Sequence, residues 1–251
     1  MKRMLIRADD LGFSEGINCG IARSVRSGLV RSVGIMTNMP MAEEGIEMLK
    51  GCPVCFGQHT NISAGRPLTD PSLVPSLVQA DGEFRKSKEY RKAYTEGKDF
   101  VNPEEVILEI EAQYERFREL TGEEPHYFEA HAVASENLFK GLKAVAEKHH
   151  LPLLLYSQKE NFRFRNSVLR MDMESMNPDY DPQVFIRKTA DQCKDGTVDM
   201  VVCHPGYLDA YILKHSSLTM PRPMEVEMLC DPEVRQYISE RNIQLVTYDD
   251  L

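Results

Sequence analysis

Short apolar runs of strand length alternate along this chain with longer segments in which apolar residues recur at helical spacing. The first run, Met4-Leu5-Ile6, predicts a strand, and a helix is predicted between Ser14, its N-cap, and Gly28. The same reasoning predicts further strands at residues 30–37, 54–61, 127–131, 151–156, 198–203 and 244–248. Further helices are predicted at residues 41–49, 102–122, 136–149, 182–193 and 231–241. Strands that alternate with helices pair in parallel through crossovers, which indicates an α/β fold.

Two long stretches, 62–101 and 157–180, show no clear periodicity, and the first is rich in proline, glycine and charge. Stretches of this length inside a compact domain are usually functional lids or binding loops. We therefore predict that both are irregular, with short helices in the first, and that they form the walls of a binding site.

Polar side chains cluster at the carboxyl ends of several predicted strands: Asp9 and Asp10 at the first, and later His59, His131 and His204. In a (β/α) barrel the active site is built on that rim. No glycine-rich GxGxxG motif follows the first strand, which weakens a dinucleotide-binding interpretation. Because no internal repeat or linker divides the chain, we predict a single domain over residues 1–251.

The composition of this 251-residue chain limits the classes of partner that it can bind. Apolar residues make up 42% and charged residues 27%, as in ordinary globular proteins. The formal net charge of −9 argues against nucleic acid or an anionic membrane as a partner, because both attract basic surfaces. No apolar run approaches the roughly 20 residues that cross a bilayer, and the first run is too short for a signal sequence. We expect a soluble, cytoplasmic protein.

The six cysteines agree with a reducing compartment, because several lie within apolar runs where a thiol packs as a small hydrophobic group. Cys52 and Cys55 form a CxxC motif, but no second pair completes a zinc site. We interpret both as packing thiols without a function.

The neighbouring carboxylates Asp9 and Asp10 favour a bound cation, because carboxylates a few Å apart repel unless a cation or a shared proton lies between them. A cap or turn accounts for one aspartate here but not for two. A single histidine after a strand is more often a packing residue than a ligand, but here three occupy equivalent positions. One carboxylate and two imidazoles leave a divalent cation open positions for water and substrate, as hydrolysis requires. The other carboxylate is then available to take the proton of the water.

Several segments resemble the signature segments of the YdjC-like (ChbG-type) carbohydrate deacetylases. They are Ala8-Asp9-Asp10-Leu11-Gly12-Phe13-Ser14, Gly57-Gln58-His59-Thr60-Asn61, Cys203-His204-Pro205-Gly206-Tyr207, Arg222-Pro223-Met224-Glu225, Leu229-Cys230-Asp231-Pro232-Glu233-Val234 and the closing residues 243–251. The resemblance covers nearly the full length. It implies a distorted seven-stranded (β/α) TIM-like barrel, often dimeric, that removes N-acetyl groups from chitooligosaccharides with the help of a metal ion.

The resemblance also implies roles for the rim residues. Asp10, His59 and His131 would hold the divalent ion, Asp9 would act as general base and His204 as general acid. The sequence does not identify the ion: two imidazoles and a carboxylate suit zinc, cobalt, nickel or iron, whereas magnesium is less natural with nitrogen ligands. We carry zinc and magnesium forward as the two candidates. One segment departs from the family pattern of Asp-Ser-His followed by further histidines at alternate positions. Here it reads Glu129-Ala130-His131-Ala132-Val133-Ala134.

For the substrate we predict contacts from Asn61, Tyr207 and Arg222. The chain has no tryptophan to stack on sugar rings, which indicates a substrate of one to three sugars, phosphorylated or not. One alternative is a glycosidase acting on phosphorylated disaccharides, but it needs two carboxylates across the bond, roughly 5–9.5 Å apart, which adjacent aspartates fit poorly. Another is a non-catalytic barrel that binds or senses a sugar or metal.

Overall fold

The structure, a computed structural model, describes residues 1–155 and 160–251. Its strands are β1 (Lys2–Leu11), β2 (Ser32–Ile35), β3 (Cys55–Thr60), β4 (Phe128–Ala130), β5 (Phe162–Phe164), β6 (Ser167–Asp172), β7 (Val198–Cys203) and β8 (Ile243–Val246). Its helices are α1 (Glu15–Arg26), α2 (Ala42–Met48), α3 (Ser87–Thr95), α4 (Pro103–Thr121), α5 (Glu136–His149), α6 (Pro182–Gln192), α7 (Ala210–His215), α8 (Pro221–Cys230) and α9 (Pro232–Glu240). No helix in these two ranges is long and apolar enough to span a membrane.

Strand β1 lies at the centre of one curled, mixed sheet in the order β4-β3-β2-β1-β7-β6-β5. The pairings along this path are parallel, except that β5 and β6 are antiparallel. Strand β8 pairs in parallel with residues 2–5 of β1, and β2 pairs with residues 7–11.

The two outer ends of the sheet approach each other through aromatic side chains. The ring of Tyr248 stacks on Tyr127, just before β4, with 4.0 Å between the ring centroids. The same ring meets Phe164, at the end of β5, edge-on at 5.3 Å. Together with the buried Leu5 and Val246, these rings belong to a cluster that fills the interior of the sheet. This architecture confirms the predicted α/β fold with a distorted, TIM-like barrel.

Helices cover the outside of the barrel in two apolar groups. Ile17 and Ile21 of α1 pack with Val33 of β2, and this group extends to α6, α8 and α9. Ile110 of α4 and Leu142 of α5 belong to the second group, which also includes side chains of the 62–101 stretch. These layers hold β1, β3, β4 and β7 in place, so their carboxyl ends form one rigid rim.

Local signals set several element ends where the sequence predicts them. Helix α4 begins after Asn102, whose side-chain oxygen accepts hydrogen bonds from the backbone N–H groups of Glu104 and Glu105. It ends at Gly122, which adopts a left-handed φ of 76°. Helix α5 and strand β7 match their predicted ranges. The 62–101 stretch contains a 3-10 turn (Pro71–Leu73) and α3, as predicted.

The prediction that 157–180 is irregular is wrong, because β5 and β6 form an antiparallel hairpin there. In β6 the buried side chains of Ser167, Leu169 and Met171 alternate with more exposed ones, and this period of two marks a strand. Of the predicted strand at 151–156, the structure shows one bridge, between Leu153 and Phe128. Tyr156 and residues 157–159 lie outside the described residues.

Helices α7 and α8 are not among the sequence predictions. Pro221 and Pro223 lie in the first turn of α8, where proline is tolerated because the first N–H groups have no helical partner. The proline content of this segment concealed a helix that carries Arg222 and Glu225 to the rim.

Candidate active site

A bulge in β1 brings both aspartates to the rim. The pairing of β1 with β2 shifts register between Ala8 and Leu11, and Asp10 adopts a φ of 76°. Residues other than glycine rarely occupy this left-handed region, and bulges of this kind redirect side chains. In a regular strand, neighbouring residues point to opposite faces. Here Asp9 and Asp10 are both buried and both approach His59.

Three potential metal ligands converge beside the bulge. The Oδ1 atom of Asp10 lies 3.1 Å from Nδ1 of His131 and 3.4 Å from Nε2 of His59, and these two nitrogens are 2.9 Å apart. This Oδ1 is buried and has no hydrogen-bond partner of good geometry. A carboxylate and two imidazoles that face one point fit a divalent cation such as zinc.

Arg222 holds the other oxygen of Asp10. Its NH2 donates a 2.7 Å hydrogen bond to Oδ2, and both side chains are almost fully buried. Burial opposes ionisation of Asp10, but the charges of Arg222 and His131 outweigh it and keep the pKa of this carboxyl well below its usual range. Asp10 is therefore a carboxylate, the form that binds a cation.

Glu129 orients the His59 ring through the nitrogen that does not face Asp10. Its Oε1 is in hydrogen-bond contact with Nδ1 of His59, which leaves Nε2 to face Asp10 and His131. A carboxylate on the far nitrogen of a ligating histidine fixes its orientation and raises its basicity. Burial opposes protonation of His59, but the negative charges of Glu129 and Asp9 raise its pKa well above the usual value. The same charges favour a divalent cation at Nε2. The glutamate that replaces aspartate in the family pattern thus supplies this carboxylate.

Asp9 is paired on one side only. The NH2 group of Arg7 donates a 2.6 Å hydrogen bond to Oδ2, and NH1 of Arg7 donates to the hydroxyl of Tyr248 at 3.2 Å. The Oδ1 atom of Asp9 is buried without a hydrogen-bond partner among the described residues. It is therefore an acceptor suited to a water molecule beside the metal ligands.

The His204 loop is fixed by close backbone packing. A Cβ added at Gly20 of α1 would lie 2.4 Å from the Cα of Gly206, so Gly20 does not accommodate a side chain. Burial lowers the pKa of the His204 imidazole to about 4, so the ring is neutral near pH 7. Ser175 Oγ lies 3.4 Å from its Nδ1.

Two side chains of helix α8 bond the backbone of His204. The carboxylate of Glu225 accepts a 2.5 Å hydrogen bond from the N–H of His204, and Arg222 donates to the carbonyl oxygen of His204 at 3.3 Å. Tyr180 donates a 2.8 Å hydrogen bond to the other oxygen of Glu225. Sequence reasoning did not assign this role to Glu225, nor the pairing of Arg7 with Asp9. The sequence did carry one signal for the Arg7–Asp9 pair. Arg7 is a charged residue within an otherwise apolar strand, and side chains two positions apart in a strand point to the same face.

Two cavities adjoin these residues, with volumes of about 130 Å³ and 290 Å³. Both are lined by His131 and His204. Asp10 and Arg222 line the smaller cavity, and Asp9 lines the larger. The predicted ligands, base and acid therefore meet at one place, and Arg222 lies among them.

Asn61 and Tyr207 lie outside these cavity walls, as far as the described residues define them. Asn61 is fully buried, and its side chain shapes the next loop through hydrogen bonds with Asn38 and with the backbone of Ser63 and Ala64. The hydroxyl of Tyr207 accepts a 3.0 Å hydrogen bond from an exposed arginine of α1. Substrate contact by these two residues stays a prediction.

Known proteins match nearly the whole chain. The family model described as YdjC-like protein matches residues 3–240. Carbohydrate deacetylase 2 of Listeria innocua is 32% identical over 253 residues, which cover 99% of this chain and 98% of that protein. The chitooligosaccharide deacetylase of Proteus mirabilis is 31% identical over 258 residues, with 99% and 98% covered. A solved structure of a candidate cellobiose-phosphate cleavage protein from Enterococcus faecalis V583 superposes with a TM-score of 0.84 at 25% identity, covering 100% of this chain and 99% of that one.

Proposed function

The chain belongs to the YdjC-like protein family, and on that premise we propose that it is a metal-dependent carbohydrate deacetylase. It removes N-acetyl groups from short chitooligosaccharides or related sugars, phosphorylated or not. The observation that supports this proposal is the convergence of Asp10, His59 and His131 next to the free oxygen of Asp9 and the imidazole of His204. When bound by these three ligands, a zinc or magnesium ion polarises the acetyl carbonyl and lowers the pKa of the attacking water.

Asp9 acts as the general base. Its Oδ1 accepts a proton from the water as the water oxygen attacks the acetyl carbon, while Arg7 holds Oδ2 and fixes the carboxylate plane. Because Arg7 occupies Oδ2, Oδ1 is the oxygen of Asp9 that is left to receive the proton.

His204 acts as the general acid, and its environment sets the order of proton transfers. The imidazole is neutral in the free enzyme, so it must receive a proton before it donates one to the departing amine. The water proton collected by Asp9 is the available source, because Asp9 and His204 line the same cavity. The C–N bond then breaks as the nitrogen becomes an amine, since an unprotonated amide nitrogen leaves poorly.

The deacetylase fits the site better than the alternatives. A glycosidase needs two carboxylates on opposite sides of the bond. Asp9 and Asp10 instead come from one bulge, and each holds an arginine. A sensing barrel does not need a free buried acceptor beside the ligand set.

The direct test is product analysis. Protein freed of metal is reloaded with zinc or magnesium and incubated with diacetylchitobiose or its phosphorylated form. Acetate release without monosaccharides is expected. Monosaccharides without acetate would support the glycosidase, and binding without any product would support the sensor.

We also propose that the enzyme is a cytoplasmic homodimer. All six cysteines are free thiols, which suits a reducing compartment. Light scattering of the purified protein tests the dimer, and a monomer mass would refute it.

A further inference from the structure

The two cavities at the site differ in their walls. The smaller carries hydroxyl groups and other polar side chains at Ser63, Ser87, His215, Ser216 and Ser217. The larger is lined by the apolar side chains of Met171, Met173 and Val202, and Met176 lines both cavities. Arg7 and Arg91 also line the larger cavity. A hydroxylated sugar finds hydrogen-bond partners in the first cavity, whereas the second offers mainly apolar contact.

The residues common to both cavities include His131 and His204. One is a proposed metal ligand and the other the proposed acid, which places the scissile amide where the cavities meet. Asp9 and His59 lie on the side of the larger cavity. By the chemistry of their walls, the sugar matches the smaller cavity and the acyl group matches the larger one.

We propose that the methionine-lined cavity is an acyl pocket that accepts N-acyl groups longer than acetyl, a proposal that rests on the function proposed above. The methyl group of an acetyl substrate is comparable in size to a water molecule, which occupies about 30 Å³ in the liquid. The cavity has a volume of about 290 Å³. The small residues Ala130 and Ala132 flank His131 in its wall, which leaves more space there for further methylenes than larger side chains would.

Methionine suits such a pocket, because its flexible thioether chain adapts to apolar groups of different length. Each buried methylene should raise kcat/KM about fourfold through its transfer from water. A butyryl group, which has two more methylenes than acetyl, should therefore raise kcat/KM about fifteenfold.

The experiment compares chitobiose derivatives carrying N-acetyl, N-propionyl and N-butyryl groups, with amine release as the common readout. The metal-loaded full-length enzyme is expected to cleave the N-propionyl and N-butyryl amides with kcat/KM about fourfold and about fifteenfold above that of the acetyl amide. An equal or lower kcat/KM on the longer amides, with acetyl turned over, would overturn the acyl pocket alone. No turnover on any of the three would overturn the deacetylase function, and the acyl pocket with it.

Two variants test whether the preference for longer acyl groups arises in the larger cavity. Met173→Trp places a larger, rigid side chain in the cavity and should lower the butyryl-to-acetyl ratio of kcat/KM about tenfold. Met48→Trp is the matched control, because Met48 is also half-buried but lies on α2, outside the residues that line either cavity. An unchanged ratio in Met173→Trp, or an equal fall in both variants, would contradict the assignment.

Discussion

Removing the charge of Glu225 should stabilise the protein at neutral pH and leave it nearly unaffected in acid. This carboxyl is fully buried on α8, with one oxygen bonded to the N–H of His204 and the other to the hydroxyl of Tyr180. In Glu225→Gln the amide oxygen still accepts from His204, and the amide NH2 donates to Tyr180, whose hydroxyl then acts as acceptor. The substitution thus removes the ionisable group and retains the shape and hydrogen bonds of the side chain.

The magnitude follows from the pKa. Burial disfavours the charged form and raises the pKa of Glu225 from 4.5 to about 7, although the hydrogen bonds from His204 and Tyr180 offset part of the effect. Between these two values the folded protein holds a proton that the unfolded chain has released, so stability falls as pH rises. The loss is about 1.4 kcal/mol per pH unit, or about 3 kcal/mol over the window. Above pH 7, Glu225→Gln should therefore gain about 3 kcal/mol, or roughly 6 °C in Tm.

Denaturant unfolding of both proteins at pH 5 and pH 8 measures this difference. The advantage of Glu225→Gln should be small at pH 5 and approach its full value at pH 8. Glu227→Gln, two residues along α8 with its side chain 67% exposed, serves as the control and should show no such growth. An equal difference at both pH values, or a less stable Glu225→Gln at pH 8, would refute the reasoning.

Three further predictions concern the rim. Gly20→Ala drives a Cβ against Gly206 and should cost about 1–3 kcal/mol by overpacking, measured by denaturant unfolding; an unchanged midpoint would contradict the close packing. Glu129→Gln weakens the orientation of His59 and should lower metal affinity about 10–100-fold by metal titration, whereas unaltered affinity would exclude that role. His131→Ala should lose metal and acetate release together, while Asp9→Asn should retain metal and lose turnover; normal turnover in Asp9→Asn would remove Asp9 as the base.

The sequence could indicate which residues meet at the rim. Asp10, His59 and His131 each lie at the carboxyl end of an apolar strand, and parallel strands bring these ends to one edge whatever the lengths of the connecting helices. The topology therefore converts three positions far apart in the chain into neighbours. This inference needs only the strand pattern, which is why it could precede any coordinates.

The local geometry of the site could not be read in the same way. Strict alternation in β1 would separate Asp9 from Asp10, and only the bulge with its positive φ lets both reach the rim. The apolar pattern does not encode that irregularity. The partners of the two aspartates, Arg7 and Arg222, depend on contacts between side chains that hydrophobic periodicity does not register.

Helix α8 shows why these contacts matter for the chemistry. Arg222 and Glu225 are three residues apart, so they project from the same side of the helix. Together they bond both backbone polar groups of His204, and Arg222 also bonds Asp10. The proposed acid and the proposed metal ligand Asp10 are thereby held by one helix rather than by two independent loops. Since proton donation and carbonyl polarisation must act on the same amide, a fixed distance between their sources reduces the reorganisation that catalysis requires.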